Sequence, residues 1–557
     1  MYLRRPVFSV AAAFAFSFAS FGLIGGLSGC VGSISGPSGQ NGGGPGGSGS
    51  ENPSPLLPAR VRRLTNAEYD SSVRTLLGTS QKPSSTFPPD ARQGSFTLND
   101  AQRVDPVLAK QLDVAALALV AEARGNGKLG QLAPCAAATS GGEACATTFI
   151  QSFGKQAYRR ALTANETAAL VVVYHAGADG AAYEDGIDLI ARALLQSAGF
   201  LYVTELGNTP QQGTVTLTAD ELAAELSYVV GAGPPDQPLL DAAAAGDLVT
   251  PEGREQQGRR LLMLPDGRAR LVRVVREWLG IDRIADTAKD TTVYPGFAAL
   301  RDSMEAESLG FVDEVMSRGT GTVGELLGAD WTIADGPLAA MYGVASAGAG
   351  ARTSLAAVGR RGILNQGAFL SVYAHASETA PVLRGVAIMR RVACLPLKSP
   401  TELNIMITPP APDPSKTTRQ RFDIHVTDPL CRSCHVNIDA FGFAFEAFDG
   451  MGQVRATDSG LPVDSTTTVQ TGQDFDGAYP DSDALATALA GSASVRACAA
   501  RQIFRASAGR SDDAVVGSEN AFIDGWRTSL PADAQGSLVE TLIAFVKSDQ
   551  FVKRRTP

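Results

Sequence analysis

Residues Cys431-Arg432-Ser433-Cys434-His435 constrain this chain more than any other stretch, because Cys-x-x-Cys-His ties one short segment to one chemistry. Two thiols three residues apart reach the two vinyl groups of one porphyrin and the next imidazole ligates its iron, so the spacing predicts a single covalent haem c. With 7 Cys and 4 His in 557 residues, chance would place the motif in roughly six of ten thousand such chains. A thioredoxin-like dithiol needs a βαβ context, and Asp428-Pro429-Leu430 supply no preceding strand. A zinc site with His425 as a fourth ligand and a plain disulfide turn also fit the letters.

His435 is the expected proximal ligand, and the sixth iron position has four candidates: Met451, His425, His375 and Met406. A Met there raises the reduction potential, a second His lowers it, and an open position admits peroxide or dioxygen chemistry. Phe441, Phe443, Phe445 and Phe448 serve equally as porphyrin packing or as ordinary core. His175 lies in an apolar helical run and reads as structural.

Seven cysteines leave one unpaired outside the cytosol, and the N-terminus accounts for it. Arg4 and Arg5 precede an apolar run from Val7 to Ile24, and Leu27-Ser28-Gly29-Cys30 then resembles a lipobox. Residues 1–29 read as a lipoprotein signal peptide, with lipid on Cys30 tying the chain to a membrane; a single transmembrane anchor is the alternative, since the apolar run is nearly long enough to span a bilayer. Val31 rather than an aspartate follows it, which points to the outer membrane by analogy with lipoprotein sorting. Residues 30–58 read as a flexible Gly/Ser/Pro linker with an r.m.s. span of about 25–30 Å. Once lipid and haem have taken three cysteines, Cys135 with Cys145 and Cys394 with Cys498 remain as possible disulfides in an oxidising compartment. The net charge of −9 argues against nucleic acid as a partner.

Three stretches repeat Leu-Thr-x-x-Glu: Leu64 to Glu68, Leu162 to Glu166 and Leu217 to Glu221. Each is a capping-box signature and predicts a helix start. Helical periodicity dominates to about residue 345, with Trp278 as expected core. The six prolines of residues 396–415 predict an extended connection, and Val454 to Asp476 predict short strands. The expected class is mainly α and multidomain, with a cytochrome-like module of short strands. The expected modules are 59–130, 131–210 and 211–345, all helical, then 355–478 with Cys-x-x-Cys-His and 479–557, helical again. Gly125-x-Gly127-x-x-Gly130 matches a dinucleotide fingerprint in letters only, since it follows a helix. Asp474, Asp476, Asp481 and Asp483 fit no calcium-loop spacing and read as turns.

Arg62-Arg63-Leu64-Thr65-Asn66-Ala67-Glu68-Tyr69, Tyr158 to Thr163, Glu378-Thr379-Ala380-Pro381-Val382-Leu383-Arg384-Gly385, Cys431 through Arg455 and Arg501 to Arg505 together resemble the planctomycete cytochrome C-like multidomain proteins. The resemblance covers nearly the whole chain from residue 59. It implies an exported protein in which domains of unknown function adjoin one Cys-x-x-Cys-His module, and a family histidine at the position of His425. Where the family pattern has Asp-Pro, this chain has Asp439-Ala440, and where it has Thr-Ser-Pro, this chain has Thr379-Ala380-Pro381. The expected function is electron transfer at the cell envelope by a lipid-anchored mono-haem protein, with a redox partner protein. Two alternatives stand beside it: a haem-dependent oxidoreductase acting on an envelope or polymer substrate, and a haem-free interaction or carbohydrate-binding lipoprotein.

Overall fold

All three Thr-x-x-Glu boxes open helices in the computed structural model, which describes residues 56–97, 103–134, 142–398, 402, 410–411, 413–509 and 516–556. Thr65, Thr163 and Thr218 each accept the backbone N–H of the glutamate three residues on, whose carboxylate accepts the threonine N–H in return. The helices so started run Asn66–Leu77, Ala164–Ala178 and Ala219–Leu226. The signal peptide, Cys30, nearly all of the linker, Cys135, Met406 and most of the Pro-rich connection lie outside the described residues.

Helix dominates, as the periodicity predicts. Pro106–Gly125, Gly142–Tyr158, Ala164–Ala178 and Tyr183–Gln196 bury one face each around Leu119, Phe149, Ile190 and Leu194 to make an N-terminal bundle. A larger core takes residues from Leu57 at one end to Val552 at the other, so segments expected as separate modules share one interior. Trp278, on the helix Pro265–Leu279, is fully buried in it and donates its indole N–H to the Arg391 carbonyl at 2.6 Å. The predicted short strands are the hairpins Thr457–Asp458 with Leu461–Pro462 and Thr467–Val469 with Gly477–Tyr479. Among the described residues, no helix is long and apolar enough to cross a membrane.

Two strand pairings bring distant segments together. Arg60–Arg63 runs antiparallel to Tyr202–Glu205. The C-terminal strand Lys553–Arg555 lies between Leu57–Pro58, parallel to it, and Thr214–Thr216, antiparallel. Under these strands Arg554, fully buried, donates from Nε to Glu205 at 2.6 Å and lies 3.4 Å from Glu225 through Nη2. Arg60 bonds the other Glu205 oxygen at 2.9 Å.

A second buried acid gives the fold a pH dependence. Glu307, 1 % exposed, accepts hydrogen bonds from Thr332 Oγ1 and Tyr342 OH, both at 2.7 Å, and burial pushes its carboxyl from 4.5 up to about 7. Between those two values the folded chain holds a proton that the unfolded chain has released, so this group makes stability fall as pH rises through that window. Glu307→Gln is expected to flatten the thermal midpoint measured against pH across that interval. An unchanged slope would contradict the assignment.

Candidate cytochrome-like site

The Cys-x-x-Cys-His segment is helical, and its own sequence starts the helix. Pro429 takes the first position of Pro429–Phe443, where its missing N–H costs nothing, and Asp428 Oδ1 accepts the Cys431 N–H at 3.3 Å as an N-cap does. Helical spacing puts the two cysteines on neighbouring turns. Both are half-buried free thiols, so the turn carries no disulfide. Burial, assisted by the Asp428 carboxylate, pushes the Cys431 thiol above its ordinary range. Cys434 packs against the large core.

His435 meets Asp439 one turn further along. Its Nδ1 lies 2.8 Å from Asp439 Oδ1, and Nδ1 of His425 lies 3.0 Å from Asp439 Oδ2. A carboxylate only accepts, so each ring places its proton on Nδ1 and keeps Nε2 as a lone-pair donor. The three residues form a cluster whose ligand atoms all lie within 4.8 Å of one another, with Asp439 only 2 % exposed. The two imidazoles stand 3.8 Å apart, centroid to centroid, closer than the roughly 4.5–7 Å of ordinary aromatic pairs. His425 therefore lies beside His435, on the same side of the motif helix, with no room for a plate between the rings. Phe422 packs edge-on against His425 at 4.9 Å.

The helix is held from behind. Any Cβ at Gly385 would run into the Ile438 carbonyl oxygen, and one at Gly442 into that of Pro381, so two glycines let Pro381–Ala387 lie directly on the motif helix. The residues around Gly385 anchor the same contact. Arg384, fully buried, donates to the carbonyls of Phe445, Leu370 and Asp449. Thr379 and Arg455 both bond Glu446, and Glu378 pairs with Arg421 at 2.8 Å. On the opposite flank Asn437 exchanges two hydrogen bonds with the Gln470 backbone, and Thr467 bonds the Ala440 carbonyl. Between that hairpin and residues 419–426 opens a cleft of about 620 Å³, with Asp439 in its wall and Arg419 over the Phe443 ring at 4.5 Å.

The other sequence candidates separate. Met451 is 5 % exposed in a different core with Tyr294, Met304 and Tyr342, and His375 is exposed on a loop whose carbonyl accepts from Lys289 Nζ at 2.7 Å. Phe441, Phe445 and Phe448 are core, whereas Phe443 lines the cleft. Cys394 and Cys498 form a disulfide with Cα atoms 5.4 Å apart, joining the chain just after Ile388–Val392 to the helix Ala493–Ala508. Cys145 is disulfide-bonded, and its expected partner Cys135 lies outside the described residues. His175 is a half-buried helix residue between Glu143 and Asp179. Asp474 caps Ala493–Ala508, Asp481 caps Ser482–Gly491, Asp476 holds the turn at Thr471 and Asp483 pairs with Arg361. Sequence reading passed over Asp439 as a site residue, although its spacing of four from His435 on a helix is a legible signal.

The donor set suits a covalent haem. Two thiols outside any disulfide stand on neighbouring helical turns, and the adjacent imidazole, its Nδ1 bonded to a buried carboxylate, offers Nε2 as the ligand atom. Four family models match the chain, each described as a protein of unknown function: DUF1587 (PSD3) over residues 62–125, DUF1595 (PSD5) over 145–205, DUF1592 (PSD4) over 217–344 and DUF1588 (PSCyt3) over 360–458. No curated protein and no solved structure matches.

Proposed function

We propose, since the chain belongs to the planctomycete cytochrome C-like multidomain family, that it is an exported lipoprotein carrying one haem c for electron transfer at the cell envelope. The observation that carries this reading is the pair of free thiols beside an imidazole whose Nδ1 is bonded to Asp439. Bound there, the haem would supply reversible one-electron storage. Cys431 and Cys434 would form the two thioether links, and His435 Nε2 would ligate the iron. Asp439 orients that imidazole, and the packing at Gly385 and Gly442 holds the motif helix in place. Cys30 would carry lipid and hold the body at the outer membrane, with a redox protein as partner.

A second reading, a haem-dependent oxidoreductase, draws on the placement of the candidates for the sixth position. Met451 and His375 are held in other parts of the fold, and His425 shares Asp439 with His435. Optical spectra of the chain produced with c-type maturation machinery separate the two readings. A six-coordinate low-spin iron supports the carrier, and a high-spin iron that binds cyanide readily supports the enzyme. A chain without any haem absorbance would end both.

A further inference from the structure

Far along the sequence from the haem motif, a cleft of about 350 Å³ opens between the start of Asn66–Leu77, the helix Pro265–Leu279 and the end of Ala493–Ala508. Its size is at the lower end for small-ligand cavities, about 300–1,000 Å³. Charged groups of both signs line it, and their pairing is uneven.

Four of its carboxylates are already engaged. Glu68 accepts from Arg62 at 2.9 Å and from the Thr65 N–H at 2.8 Å. Asp70 accepts from the N–H and the hydroxyl of Ser84, at 3.0 and 2.6 Å. Asp90 holds Arg63 and the Asn66 N–H, and Glu277 holds the N–H and the hydroxyl of Thr97. The guanidiniums of Arg270 and Arg273 are in a different state. Among the described residues neither has a carboxylate partner, although Arg268 and Arg276 on the same helix pair with Asp313 and Glu305. Arg270 makes one long bond, 3.3 Å, to the Ala506 carbonyl, and its buried Nε has no acceptor. Glu225, 1 % exposed in the same wall, bonds Arg554 through Oε1 and leaves Oε2 without a partner.

We propose that this cleft binds a small oxyanion, a carboxylate, phosphate or sulfate group, clamped by Arg270 and Arg273 with Glu225 as a third contact. Two guanidiniums one turn apart present planar donor forks to one anion, and their burial strengthens each bond. The local charges agree with an anion site. Burial, helped by the neighbouring Arg273, pushes Arg270 down to about 10, the response of a cation lacking a counter-ion. Burial and the charge of Glu205 push Glu225 up to about 7, which weakens its repulsion of a bound anion near neutrality. Residues of two family matches and of the segment beyond the last one meet here: Thr65 and Glu68 from 62–125, Glu225 and Arg270 from 217–344, and Ser507 past residue 458. Ligand capture would therefore link parts of the chain that the haem motif does not touch.

Calorimetric titration of the chain with inorganic phosphate, sulfate and acetate, each against chloride at matched ionic strength, tests the site and identifies its source. Saturable one-site binding of at least one anion is expected, raising the thermal midpoint. Arg273 is half-buried and hydrogen-bonds no neighbour among the described residues, so Arg273→Gln should fold normally by circular dichroism yet bind at least about tenfold more weakly. Arg270→Gln should do the same, and where it fails to fold the Arg273 variant decides. Absence of saturable binding by all three anions, or binding undiminished in Arg273→Gln, would overturn the proposal. Repeating the titration on Cys431→Ser/Cys434→Ser protein separates this outcome from the fate of the haem.

Discussion

Arg554→Ala is expected to lower the stability of the folded chain by about 3–5 kcal/mol, a large loss for one side chain three residues from the C-terminus. The argument is one of uncompensated charge. Arg554 and both its partners are all but completely buried: Arg554 and Glu205 at 0 % exposure, Glu225 at 1 %. Glu205 is held down to about 2, against the pull of its own burial, by Arg60, Arg554 and Arg62. Removing Arg554 leaves Arg60 and the more distant Arg62 to neutralise a carboxylate that two guanidiniums bonded directly, and it deprives Glu225 of the guanidinium at its Oε1. The three carbonyls of Gln550, Phe551 and Lys553 that accept from Nη1 lose their donor as well. Because Lys553–Arg555 lies between Leu57–Pro58 and Thr214–Thr216, the loss should unfasten both. Urea unfolding of wild type and variant measures it, and a decrease under about 1 kcal/mol would show that the network is dispensable.

The second large effect is expected at Asp439. Asp439→Asn keeps the size of the side chain but removes the negative charge and one of its two acceptor oxygens, so His425 and His435 can no longer both donate to it. Partners of ligating histidines typically contribute about 10–100-fold to metal affinity or activity. In the haem-bearing protein, loss of the anion beside His435 disfavours the more highly charged ferric iron, so the reduction potential should rise. A tenfold change in the balance of the two iron states corresponds to about 59 mV for one electron. Spectroelectrochemical titration reads the shift directly. An unchanged or lowered potential would mean that Asp439 does not act through the iron ligand. His425→Ala separates the two roles of the carboxylate, since it frees one Asp439 oxygen while leaving the bond to His435 in place.

What the sequence reveals and what it hides follow from the range of each interaction. The capping boxes at Thr65, Thr163 and Thr218 are complete within four residues, so letters alone identify them, and the helices start where those letters place them. The Cys-x-x-Cys-His segment is equally local. Asp439 sits one helical turn from His435 and needed only the inference that the segment is helical. Met451 shows the opposite case: a flexible thioether suits a ligand and a core gap equally, and packing with Tyr294 and Tyr342 decides the matter. The Arg554 network could not be read at all. Its partners are 349 and 329 residues away, and strands of two to four residues with three arginines in Arg60–Arg63 carry no alternating apolar pattern. The motif Glu378 to Gly385 was legible as a resemblance, but only the fold shows its use, to clamp one helix against the haem-motif helix.

Covalent attachment of haem to Cys431 and Cys434 is the central claim, and intact-mass spectrometry of the chain produced with c-type maturation machinery tests it most directly. The expected result is a mass increase of one haem per chain that survives denaturation, maps to the peptide containing Cys431 to His435, and disappears in Cys431→Ser/Cys434→Ser. A fully matured chain of unmodified mass, with both thiols still free to alkylation, would contradict it.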